Sequence, residues 1–98
     1  MQLTFPDTGA LHLEARSENG AIARSYFIRA ELDLFGWTIV DRQWGRIGNK
    51  GQSKREAFEQ RAAADAHIHD LLRRRSSARS RIGVAYRPIS TPNSQLMV

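Results

Sequence analysis

From Ala10 onward the chain alternates. Leu11, Leu13 and Ala15 fall on one side, and His12, Glu14 and Arg16 on the other. A period of two marks a strand with one face buried. Asn19-Gly20 follows, a pair that accepts positive φ at both central positions of a type I′ turn, so the next strand is expected to return antiparallel. That strand runs about Ala21 to Glu31, with Tyr26, Ile28 and Ala30 on one face and Phe27 and Arg29 on the other. Upstream, Leu3 and Phe5 also alternate and predict a short edge strand within residues 1–9.

Asp33-Leu34-Phe35-Gly36 reads as a turn, bracketed by Asp and Gly. Phe35 is expected to fold back onto the core. A third strand, Trp37 to Trp44, carries Trp37 and Ile39 on one face and Val40 and Trp44 on the other. Apolar residues on both faces predict a strand that is covered on both sides or central in its sheet. Gly45, Gly48 and Gly51 then punctuate a loop that holds Arg46 and Lys50. Gln52 to Phe58 alternates with little apolar content, which suits an edge strand guarded by charge. Lys54 to Gln60 also suits a helix, which stays open as the alternative.

From Arg61 the signal is helical. Ala62-Ala63-Ala64 has high propensity, and Ala64, Ile68, Leu71 and Leu72 form one stripe. Arg75 and Arg79 continue that stripe, yet arginines rarely enter a core unpaired. Either the helix stops near Arg74 or its last turns overhang the sheet. Gly83 is a natural stop. Val84-Ala85-Tyr86 is expected to return to the sheet, and Pro88 to Val98 reads as a flexible tail. The sum is an α+β domain, a four- to five-stranded antiparallel sheet with one long helix packed across a face.

Composition narrows the function. Ninety-eight residues make one domain with a small core. With no run of about 18 apolar residues, no membrane span is expected. No basic and apolar leader is visible at the N-terminus. The absence of cysteine rules out disulfides and zinc-finger sites and fits a cytoplasmic protein. The net charge of +5 is uneven: residues 1–50 balance six basic against six acidic residues, while residues 51–98 hold nine against four. A basic half suggests a polyanionic partner, most often nucleic acid.

Catalytic constellations are missing. Ser25, Ser53, His12 and His67 stand in no recognisable nucleophile or acid–base context. The glycine loop lacks the Gly-Lys-Ser/Thr ending of a phosphate-binding loop. His67 and His69 lie two apart, about 200° around a helix, and cannot share a metal from one face. The reading is therefore non-enzymatic, with no cofactor and no metal.

Asp33-Leu34-Phe35-Gly36, a short strand, and then Trp44-Gly45-Arg46-Ile47-Gly48 with Gly51 in register together resemble the WGR domain, over about Leu11 to Tyr86. That domain occurs in DNA-dependent poly(ADP-ribose) polymerases and as small bacterial proteins. The resemblance favours a strand over a helix for Gln52 to Phe58. It also implies that Trp44 packs at the terminal nucleotide of a broken DNA strand and that Arg46 holds backbone phosphate. In the polymerases the triplet also signals to neighbouring domains, and ADP-ribosylation belongs to a separate catalytic domain. The family commonly closes this region with a basic run and Gly-Tyr, whereas here two residues separate Gly83 from Tyr86.

Two functions follow. The first is a module for nucleic acid, with DNA favoured over RNA: double-stranded, at ends or nicks, and without sequence preference because phosphate contacts carry none. Its candidate residues are Trp44, Arg46, Asn49 and Lys50, with Arg73, Arg74 and Arg75 added on charge alone. Such a protein would be cytoplasmic, on the nucleoid, and free of membrane. The second is a regulatory adaptor that anchors a protein partner on the same Trp44 and Arg46, the residue types that dominate interface energetics.

Overall fold

The computed structural model describes residues 3–89. Five strands form one antiparallel sheet: β1 (Ala10–Arg16), β2 (Ala23–Leu32), β3 (Thr38–Arg46), β4 (Gln52–Phe58) and β5 (Arg87–Pro88). Their spatial order is β4-β3-β2-β1-β5. The first four strands form a meander of neighbours, and only β5 crosses over to pair with β1. Helix α1 (Arg61–Ser76) crosses one face, and a short helix α2 (Ala78–Ile82) follows it. The expected architecture is present, with both predicted hairpins in register on β2.

Alternation sets the core. Leu13, Ala15, Tyr26, Ile28 and Val40 point to the α1 side and are buried there against Ala64, Ile68, Leu71 and Leu72. Each fully buried aliphatic chain contributes about 1.5–3 kcal/mol, so this one layer carries most of the stabilisation. The opposite face is not covered by a helix and is mostly polar, with Phe27 and Ile39 half-buried on it. It is laced by exposed ion pairs such as Arg55–Asp41 and Arg29–Glu31, each worth little in water. Edge strand β4 is charged, as expected, and only Phe58 packs on the core.

Five expectations need correction. Leu3 and Phe5 form no strand: Leu3 is buried in the core, and its N–H donates to Ser76 Oγ at 3.0 Å. The β1–β2 connection is not type I′, because no non-glycine residue has positive φ. Instead Ser17 and Asn19 side chains accept backbone N–H groups from Ile22 and Ala21 and close a longer loop. Phe35 does not fold back, being 85% exposed. The Asp33 carboxylate accepts the N–H groups of Phe35 and Trp37 at 2.8 and 2.9 Å, which fixes a turn that holds Phe35 outward. β3 runs on through Gly45 and Arg46, so the triplet ends a strand rather than occupying a loop. Pro88 does not begin the tail, since it pairs with Leu13 and Ile89 N–H donates to His12 C=O. The remainder of that expected tail, residues 90–98, lies outside the described residues.

The conflict on the helix stripe resolves at Ser77. α1 stops at Ser76, and the Arg74 carbonyl accepts the Ser77 hydroxyl at 2.9 Å and an Arg81 guanidinium N–H at 2.7 Å. The chain then turns into α2, which ends on Gly83 in the left-handed conformation. Arg79 is thereby exposed, while Arg75 stays half-buried at the rim.

Candidate functional site

Two glycines hold the triplet in place. A Cβ on Gly51 would lie 2.2 Å from the Trp44 carbonyl oxygen, and one on Gly45 would lie 2.8 Å from Gly51 Cα. The backbones of the two residues touch, so neither position has space for a side chain. This contact lets β3 reach Arg46 before the chain reverses through Ile47–Lys50. β2 supports it from the other side: Tyr26, Ser25 and Arg24 pair with Trp44, Gly45 and Arg46.

A groove of about 510 Å³ opens over the end of β3. Trp44, Gly45 and Arg46 form one wall, and Arg75, Arg81 and Tyr86 form the other. Arg24 completes the ring. Thus four guanidiniums line the groove with no carboxylate among its walls. Among the described residues none of the four is ion-paired with an acid.

The guanidiniums are held by other means. Arg46 donates to the Gly20 and Ala21 carbonyls at 3.3 and 3.5 Å, long and exposed contacts that an anion can replace. The Arg75 guanidinium carbon lies 3.9 Å from the Tyr26 ring centre, a cation–π contact. Arg75 Nε is buried without a hydrogen-bond partner among the described residues. Burial pushes the Tyr26 phenol above its usual pKa, against the opposing pull of Arg75.

Trp44 is half-buried and packs on the core with one part while lining the groove with another. Arg42 lies 5.2 Å from its ring centre on the inner side. Arg42 in turn lies 3.5 Å from Glu56, whose other neighbour is His67 at 2.8 Å. The indole is therefore backed by a chain of polar side chains from β3 through β4 to α1.

The structure brings together Trp44, Arg46 and Arg75 from the predicted set. Asn49 and Lys50 sit in the exposed reversal after the triplet and do not line the groove. There Asn49 N–H donates to the Arg46 carbonyl and the Lys50 carbonyl accepts the Gln43 amide. Arg73 and Arg74 face outward from α1, with Arg73 paired to Asp70 at 3.3 Å. Sequence reading missed Arg24, Arg81 and Tyr86 as wall residues. Arg24 was accessible through hairpin register, which sets it opposite Arg46. Arg81 and Tyr86 depended on the turn at Ser77, which no local pattern signals.

Among the described residues no group of three His, Cys, Asp or Glu could hold a metal, and no helix is long and apolar enough to cross a membrane.

The uncharacterized protein y4dW of Sinorhizobium fredii (strain NBRC 101917 / NGR234) is 38% identical over 65 residues, which cover 66% of this chain and 32% of that protein. The chain thus spans about a third of the length of that relative. The WGR domain model matches residues 10–81, from the first residue of β1 into α2, and so includes strands β1 to β4, the triplet and all of α1. The chain belongs to the WGR domain family.

Proposed function

We propose that this domain is a non-enzymatic nucleic-acid-binding module that takes double-stranded DNA at an end or nick. The observation that carries this reading is the groove beside Trp44, with four guanidiniums and no carboxylate in its walls. A cluster of unpaired cations is stabilised by a polyanion, and guanidinium forks match phosphate oxygens. Trp44 offers a partly exposed indole on which a terminal base or sugar can stack, worth about 1–3 kcal/mol. Arg46 exchanges its two long carbonyl contacts for phosphate. Asn49 and Lys50 reach the backbone further along the duplex, and Arg73 and Arg74 add only long-range attraction. Binding is independent of sequence because these contacts address phosphate and end, not base edges. Such a module works in the cytoplasm, on the nucleoid.

Fluorescence anisotropy with three labelled short duplexes tests this: one blunt, one nicked, and one closed by hairpins at both ends. Binding that requires a break and falls about tenfold in Arg46→Ala is the expected outcome. Equal binding to all three, unchanged in Arg46→Ala, would reduce the site to a basic patch. No binding at low salt would reject nucleic acid altogether.

A further inference from the structure

The other end of β3 carries a second surface of opposite character. Four large apolar side chains cluster at the β2–β3 turn: Leu32, Leu34, Phe35 and Trp37, exposed by 63, 96, 85 and 39%. They are the exposed large hydrophobics among the described residues. The Asp33 carboxylate locks the turn that displays them, through two N–H groups. Large apolar side chains exposed together at one turn mark a candidate interaction surface.

The patch continues into a groove of about 510 Å³ between the segment 3–9, the end of β2 and α1. Leu32 belongs to both. Leu3, Phe5, Ile68 and Leu72 contribute its apolar floor. Its polar lining holds three carboxylates, Asp7, Glu31 and Asp65, against Arg61 as the one guanidinium, with His69 and three threonines beside them. Asp7 makes no ion pair among the described residues, while Glu31 is shared with Arg29 and Asp65 with Arg61. In a chain of net charge +5, this is a local reversal of sign. It disfavours nucleic acid at this end, and two acidic rims facing each other disfavour a second copy. Thr38, 4% exposed, lies in the wall with a hydroxyl that has no hydrogen-bond partner among the described residues.

We infer that this tip and groove dock a segment of a partner protein that is apolar at its centre and flanked by lysine or arginine. Leu34 and Phe35 are its contact residues, and the carboxylates select the basic flanks. The inference is independent of what the Trp44 groove binds.

Panning the full chain against a random dodecapeptide library displayed on phage tests it. Enriched sequences should combine apolar residues with basic flanks. A synthetic peptide of that sequence should bind about tenfold or more weakly to the double variant Leu34→Ser/Phe35→Ser. Both side chains lie outside the core, so the variant should keep its melting temperature. The charge-only variant Asp7→Asn should weaken the same peptide several-fold and reduce its salt dependence. Enrichment of acidic or uncharged sequences, no enrichment, or unchanged affinity in the double variant would overturn the inference. So would sedimentation showing a dimer that the double variant dissolves, which would make a second copy the occupant.

Discussion

At the Arg46 end of β3 the walls hold four guanidiniums and no carboxylate; at the Thr38 end they hold three carboxylates and one guanidinium. The strand between runs roughly 27 Å at about 3.4 Å per residue, several Debye lengths at physiological salt. Each end therefore presents its own electrostatic field. The net charge of +5 describes neither end, and counting charges along the chain hides a molecule divided by position along one strand. The ends are also built differently. Backbone packed on backbone, Gly45 on Gly51, fixes the basic end. A carboxylate accepting from two N–H groups fixes the apolar end.

Glycine substitutions give the largest expected contrast. Gly51→Ala puts a Cβ into the Trp44 carbonyl and forces the triplet to move. It should cost about 3 kcal/mol or more in stability and remove binding at the basic groove. Gly36→Ala at the tip also has positive φ, but its Cβ would meet nothing within 4 Å; it should cost only about 1–2 kcal/mol. Urea unfolding of the two variants compares them. Equal losses would show that the Gly45–Gly51 contact is unimportant.

A smaller effect separates charge at the basic groove from charge elsewhere. Arg75→Ala should weaken DNA binding about tenfold and flatten its salt slope by about one contact. Arg55→Ala, on the uncovered face and paired with Asp41, should change affinity less than about twofold. Titrations across a range of salt read both numbers. Similar losses in the two variants would mean that overall charge, not the groove, attracts the ligand.

The smallest effect concerns the Tyr26 phenol beneath Arg75. Its pKa is raised by burial, so the folded state holds this proton more tightly than the unfolded chain. That contribution is fully present below the unfolded value of about 10 and is lost as pH rises through the higher folded value. Tyr26→Phe removes a hydroxyl that makes no close hydrogen bond among the described residues, with only Arg42 near enough to act as a weak donor to it, so near neutral pH it should alter stability by about 1 kcal/mol or less. From about pH 10 upward the wild type should lose stability relative to the variant. Melting temperatures of both from neutral to strongly alkaline pH give the comparison, and parallel curves would refute it.

Much of this was legible in the residues. Leu11 to Ala15 and Tyr26 to Ala30 alternate because one face of each strand is buried, and Ala64 to Leu72 keeps helical spacing because a single stripe meets the sheet. The triplet stood out through its glycines, whose spacing records a backbone contact. Three features escaped for physical reasons. Phe35 violates the expectation that aromatics are buried, because Asp33 satisfies the turn locally and leaves the ring outside. The opposite wall of the groove depends on where α1 stops, and Ser76-Ser77 carries no strong breaker. Arg75 shares the core stripe yet is accommodated by the Tyr26 ring, a tertiary contact that no local spacing encodes.

The meander order of β1 to β4 has a kinetic consequence. Each of these strands pairs with its sequence neighbour, so the sheet can zip through short loop closures, which fold fast. The triplet wall of the groove exists as soon as that zipper closes. The facing wall, Arg75, Arg81 and Tyr86, must wait for α1 to dock, for the turn at Ser77 and for β5 to close onto β1 across most of the chain length. Binding competence should therefore lag behind sheet formation during refolding, and a chain still emerging from the ribosome would present its indole before its full ring of cations.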